Sequence, residues 1–205
     1  MPLIGIWAVV AASLGPIQNF LGWTISAALW PGYDPIAKTI SDLAADDSPV
    51  KWIQTSFFLF GSTLTLIAAF SARAIAMPGR IALGVAGFAS YGFTFFATPS
   101  QDSSSPWHVG FATVAFLLFS IWPLLGMRRS KEFHFSLRPI ASIAATLVMG
   151  VTTLWFLMTW LEPGQPLVGL SERVIALMQV LWLSFVIWAQ FLHQRKAAKH
   201  IGAQL

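Results

Sequence analysis

The stretch Trp107-His-Val-Gly-Phe-Ala-Thr-Val-Ala-Phe-Leu-Leu-Phe-Ser-Ile-Trp-Pro-Leu-Leu-Gly-Met127 runs for 21 residues without Asp, Glu, Lys or Arg and stops against Arg128 and Arg129. A helix of about 20 apolar residues covers the roughly 30 Å hydrocarbon core of a bilayer, so this run reads as a membrane span. Five further runs, bounded by charge or by Pro and Gly, read the same way, at about 3–30, 50–77, 80–98, 139–161 and 168–191. The first is taken as a span and not as a cleaved signal peptide. Its apolar stretch is too long, no Lys or Arg precedes it, and no small-residue cleavage pattern ends it. The fold expected is all-α: a single integral membrane domain over 1–205, built as a bundle of six transmembrane helices.

Composition leads to the same class. Apolar residues make up 56% of the 205 and charged residues 10%, whereas a soluble surface needs about 25% charged. Disorder and collagen fall on composition, and a disulfide-stapled secreted scaffold falls because the chain has no cysteine.

Sorting the charges by loop gives an orientation. Arg73, Arg80, Arg128, Arg129, Lys131, Arg138, Arg195, Lys196 and Lys199 fall on one side of the spans, and Lys38, Lys51 and Arg173 on the other. Lys and Arg are retained in cytoplasmic loops, so both termini are expected in the cytoplasm, with the bundle in the cytoplasmic (inner) membrane of a bacterial cell. Asp34, Asp42, Asp46, Asp47, Asp102, Glu162 and Glu172 lie outside, and only Glu132 inside. A pI near 9.9 is thereby a topology signal, and no nucleic-acid partner is expected. Trp30, Trp52, Trp107 and Trp160 mark the outer edges, at the depth where amphipathic rings gather. The basic inner loops and the tail from His193 read as topology anchors.

The outer connections carry the chemistry. Asp34-Pro35 supplies a helix cap with Pro at the first helical position, and Ile36, Ile40 and Leu43 follow at helical spacing. This predicts a short interfacial helix between the first and second spans, lying in the outer interface or folded down over the bundle. Three spans start from the outside behind Ser48-Pro49, Ser105-Pro106 and Ser171-Glu172. Their positive dipole ends, with Arg173, are expected to form an electropositive patch within an otherwise acidic face. Asp102 and His108 lie in or beside it. His108, at about the third position of its helix, is expected to be neutral, with Asp102 pairing either Arg173 or His108. Within the spans, most Ser and Thr are expected to bond back to their own helix or to a neighbour. Gln18 and Asn19 differ: an amide in hydrocarbon is costly unless paired, so one of them should face the interior and line a cavity below the outer site.

Three runs in order, Pro31-Gly-Tyr-Asp-Pro-Ile-Ala-Lys-Thr-Ile-Ser-Asp-Leu43, Phe96-Ala-Thr-Pro-Ser-Gln-Asp102 with His108 six residues on, and Gly169-Leu-Ser-Glu-Arg173 followed by Trp182, resemble the six-helix prokaryotic membrane family called domain of unknown function 998. The resemblance covers essentially the whole chain. It departs from a Phe-Pro-Thr-Asp-like pattern at Ala97 and Ser100. It implies the fold, the membrane and shared polar positions at Tyr33, Ser41, Asp102, His108 and Arg173, and brings no settled reaction.

Reaction classes narrow by ligand chemistry. Zinc of the seven-helix hydrolase type needs about three His beside a carboxylate, and one His lies outside. Haem lacks a facing pair of His. A calcium site using Asp42, Asp46, Asp47 and Asp102 stays open, but no metal or cofactor is expected. The preferred function is binding or transfer of a membrane lipid or amphiphilic small molecule. Arg173, Tyr33, Asp42, Gln18 and Asn19 are the candidate ligand-binding residues, and the expected head is a phosphate or carboxylate. The alternative is a membrane-embedded enzyme. One form is a hydrolase with Ser41 or one of Ser103 to Ser105 as nucleophile, His108 as base and Asp102 as orienter. The other is acid-initiated lipid or isoprenoid chemistry on Asp102 or Asp42. A structural or assembly role is the third reading, and no protein partner is indicated.

Overall fold

The structure, a computed structural model, describes residues 3–101 and 103–202, with side chains to Ala198. Seven α-helices follow in order: α1 (Ile6–Ala28), α2 (Ile40–Leu43), α3 (Lys51–Ser71), α4 (Met77–Phe95), α5 (Pro106–Leu125), α6 (Pro139–Leu161) and α7 (Val168–Gly202), with a 3-10 turn at Phe135–Leu137. The described residues form no strand. Each long helix packs on the next, α1 on α3, α3 on α4 and so on to α6 on α7, and α7 closes on α1. The result is a ring of six helices in which each sequential pair of long helices packs side by side, so neighbours run antiparallel. α2 sits over one end of the ring, against α1 and α7.

Helices α3, α5, α6 and α7 are long and apolar enough to cross a bilayer. α1 and α4 belong to the same ring, at 23 and 19 residues, but their apolarity is diluted by Gln18 and Asn19 in α1 and by Arg80 and four glycines in α4. Burial departs from the water-soluble pattern in its apolar exterior and in the polar side chains set within an apolar core. Gln54, Ser62, Gln179 and Gln190 are buried, while Ile140, Val151, Phe95 and Phe88 are exposed on the outer wall. An apolar exterior around a partly polar interior is what a lipid solvent selects, and the molecule is a helical membrane bundle. The Ser and Thr side chains behave as expected. Ser13, Thr24, Ser62, Thr65, Ser90 and Thr94 donate to the carbonyl four residues back. Ser120 with Thr153, and Thr63 with Tyr91, tie neighbouring helices at 2.8 and 2.6 Å.

The basic loops gather at the end opposite α2, where Arg80 caps the last carbonyls of α3 and Arg128 and Arg138 bond loop carbonyls. Arg80 donates to Ala69 O and Phe70 O at the end of α3. Arg128 donates to Ala74 O, Arg73 O and Ile75 O, and Arg138 to Phe133 O and Lys131 O. A cation at a helix C-terminus satisfies orphan carbonyls and opposes the negative end of the dipole. This explains why α3 stops at Ser71 and not near residue 77. The following segment crosses under the bundle, with Ala74 N bonded to Leu3 O and Ala76 N to Gly126 O. α7 runs past the expected residue 191, and its 35 residues span about 52 Å, so its basic end projects beyond a roughly 30 Å core.

At the other end two expectations are corrected. The helix expected from Pro35 begins only at Ile40 and lasts one turn. Asp34 Oδ1 instead accepts from Ile36 N and Ala37 N in a turn, and the carbonyls that would have continued a helix are taken by α7: Leu170 N donates to Ile36 O and Arg173 to Lys38 O. α7 starts at Val168, one turn ahead of the expected cap at Ser171, whose hydroxyl bonds Val168 O and Thr159 Oγ1.

Candidate functional site

The site is built around the single turn of α2. Its start is a capping box: Thr39 Oγ1 accepts from Asp42 N at 3.1 Å, and Asp42 Oδ2 accepts from Thr39 N at 2.7 Å. A third donor, Ile40 N, goes to Glu172 Oε2 of α7 at 2.5 Å. These bonds fix the turn so that Ser41 Oγ lies 3.0 Å from His108 Nε2. Burial pushes the Asp42 carboxyl above its ordinary range, against the opposing pull of the Thr39 hydrogen bonds.

His108 is the third residue of α5, behind the Ser105 cap. Its Nδ1 lies 2.9 Å from Phe93 O and 3.1 Å from Phe96 O, the carbonyls that end α4. Carbonyls only accept, so Nδ1 carries the proton, and in the neutral ring Nε2 is left as an acceptor for the Ser41 hydroxyl. Backbone carbonyls thus fill the orienting position expected of Asp102, which lies outside the described residues.

Arg173 and Tyr33 form a second group behind α2. Arg173 Nη1 donates to Lys38 O at 2.9 Å and Gly169 O at 3.0 Å, and Nη2 donates to the Tyr33 hydroxyl at 2.7 Å. That hydroxyl also lies 3.0 Å from Lys38 O and 2.6 Å from Thr39 O. Burial raises the Tyr33 phenol well above its usual range, with Arg173 pulling the other way, so it stays protonated. The guanidinium is thereby engaged in holding the loop before α2, and neither residue lines the two cavities described next.

An outer cavity of about 850 Å³ lies between α5 and α6 beneath the loops. Its polar end carries Ser41, Asp42, His108 and Glu172 with Lys38, and its walls carry Phe116, Leu117, Phe156, Leu157 and Leu161. An inner cavity of about 150 Å³ lies within the helix ring and is lined by Gln18 and Asn19, as expected for one of that pair, with Gln54 and Gln179. Ser41 and Glu172 line both cavities, so they stand in the wall between them.

The calcium site left open by the sequence, whose fourth member Asp102 lies outside the described residues, does not assemble from the described ones. Asp42 is held by Thr39, Asp46 pairs with Lys51 at 2.8 Å, and no three His, Asp or Glu gather to hold a metal. Ser105 caps α5 as expected, its Oγ accepting from His108 N, whereas Ser48 lies two residues ahead of the N-cap of α3, Val50, and its Oγ accepts from Val50 N in the preceding turn.

Glu172 is the residue that sequence reasoning missed, because beside Ser171 it reads as a helix cap. Its signal was register. Residues 172, 176, 179 and 183 share one helical face, and all four line the inner cavity, so Glu172 and Gln179 mark a polar stripe on α7.

With the geometry in place, comparison with family models matches residues 13–189 to Protein of unknown function (DUF998). The chain belongs to this family. The match spans every long helix, from the middle of α1 to most of α7, and includes Tyr33, Ser41, His108 and Arg173. Comparison with curated proteins and with solved structures finds no match.

Proposed function

We propose that this DUF998 protein binds or transfers a membrane lipid or similar amphiphile, seated in the outer cavity between α5 and α6. One observation carries the reading: a single groove joins a hydrogen-bonding end to an apolar wall that reaches lipid. Leu117, Leu157 and Leu161 line the groove and are also exposed on the outer face of the bundle, so a tail passes sideways from the bilayer without crossing water. The volume is in the range of small-molecule sites, roughly 300–1,000 Å³. Ser41, Asp42 and His108 meet the head. The anionic head expected from an Arg173 site loses its support, since that guanidinium is held by the α2 loop, and a hydroxyl- or amine-bearing head suits this end better. The bundle is read as lying in the cytoplasmic membrane of a bacterial cell, with both termini inside. The collection of basic loops at the end opposite α2 supports that orientation.

The test is lipid retained by the purified protein. Thr113→Trp fills the groove from α5, and the retained amphiphile is expected to fall to background in native mass spectra.

The Ser41–His108 contact favours a second reading, acyl hydrolysis or transfer on the seated molecule. Ser41 Oγ would attack an ester carbonyl while His108 Nε2 takes its proton and returns it to the leaving alkoxide, and water or a second alcohol, its proton passing through His108 to Ser41, would then take the acyl group from Ser41. A fluorophosphonate probe is expected to label the wild type and not Ser41→Ala. An unlabelled wild type dismisses catalysis and leaves binding.

A further inference from the structure

The inner cavity has a chemistry of its own. Gln54 is 2% exposed, yet its Oε1 has no hydrogen-bond partner, and the same holds for the buried Oδ1 of Asn19. Both residues line the cavity, from α3 and α1. Buried amide oxygens without donors are costly, and a cavity that gathers two of them calls for a guest that donates. Gln18 is not available for this: its amide is satisfied by Phe57 O and Asn19 N.

Charge and shape narrow the guest. Among the described residues, Glu172 is the only ionisable side chain lining the cavity, and no Lys, Arg or His lines it. The lining is therefore acidic and oxygen-rich. A hard divalent ion needs several carboxylates, and no cluster of three ligating residues is present among the described residues. Much of the remaining wall is aromatic, from Trp23, Phe57, Phe58 and Phe93. Aromatic faces attract organic cations, and a volume of about 150 Å³ corresponds to roughly five waters at about 30 Å³ each.

We infer that the inner cavity is a binding site for a small primary ammonium ion, its N–H groups donating to Asn19 Oδ1 and Gln54 Oε1 and its charge facing the Glu172 carboxylate, with aromatic rings around its carbon end. The site is separate from the outer groove and does not depend on what that groove holds. The shared wall at Ser41 and Glu172 brings the two within reach of each other.

The test is the melting temperature of the full chain in detergent, titrated with ethylammonium chloride against equal concentrations of sodium chloride and of ethanol. Ethylammonium is expected to give a saturable rise that the two controls do not. In Glu172→Gln, which keeps an acceptor for Ile40 N, half-saturation is expected to weaken about tenfold or more. Gln54→Leu, across the cavity from Glu172, is expected to weaken it in the same direction and serves if Glu172→Gln does not fold. A rise equal to that with sodium chloride or ethanol, or an undiminished response in the folded variants, overturns the site.

Discussion

Replacing Gly169 with alanine is expected to destabilise the protein by about 3 kcal/mol or more, the upper part of the range for overpacking a close contact. Gly169 lies in the first turn of α7, where the loop before α2 crosses it. A Cβ there would meet the carbonyl oxygen of Lys38 and would come within 2.6 Å of Pro35 O. Both obstacles are backbone, so neither can swing aside as a side chain would. The loop must lift, and Leu170 N to Ile36 O and Arg173 to Lys38 O lengthen together. Gly150 on α6 supplies the contrast, since nothing lies within 4 Å of an added Cβ. Gly150→Ala is expected to be stabilising by roughly 0.5–1 kcal/mol from helix propensity alone. Thermal melts of the two variants beside the wild type check both signs.

Arg173→Ala is expected to cost about 3 kcal/mol, a fall of roughly 6–12 °C in melting temperature for a chain of this size. The substitution leaves Lys38 O, Gly169 O and the Tyr33 hydroxyl without their charged donor. Hydrogen bonds from a charged group are each worth about 1.5–3 kcal/mol, and three on one side chain add less than fully. Arg173→Lys is expected to recover only part of the loss, because one ammonium cannot reproduce a planar fork that reaches two carbonyls and a phenol. A variant that keeps wild-type stability while losing a bound anion would place Arg173 on the ligand and not on the loop. Gly169→Ala and Arg173→Ala act on one contact, so the double variant is expected to lose less than the sum.

The spans and the sorting of charge were legible because each rests on a local property: a 21-residue run without charge, or a basic pair such as Arg128 and Arg129 in a short loop. Ser41 and His108 were legible as candidates for a similar reason, as polar residues on the short helix after the first span and in the first turn of an apolar helix. Their meeting was not, because the turn of α2 is fixed by a local capping box between Thr39 and Asp42 together with a bond from Ile40 N to Glu172 across 132 positions. Arg173 shows the converse. Its charge suggested an anion site, but two of its three acceptors, Lys38 O and the Tyr33 hydroxyl, come from the segment before α2, where a helix from Pro35 would have bonded Lys38 O internally. Glu172 was hidden by its neighbours, since Ser-Glu beside a helix start describes a cap, whereas in a helix running from Val168 it stands one turn in, on the face shared with 176, 179 and 183. Gln18 and Asn19 were read on a general cost, that of an amide in hydrocarbon, and both line the inner cavity.

The groove between α5 and α6 is the centre of the account, and native mass spectrometry of the detergent-purified full chain tests it most directly when Thr113→Trp is compared with Phe88→Trp. Thr113 lines the groove, whereas Phe88 is exposed on the outer wall of α4 and lines neither cavity. The account predicts a retained lipid-sized adduct on the wild type and on Phe88→Trp, and its loss from Thr113→Trp. Equal retention by both variants, or no adduct on the wild type, would contradict it.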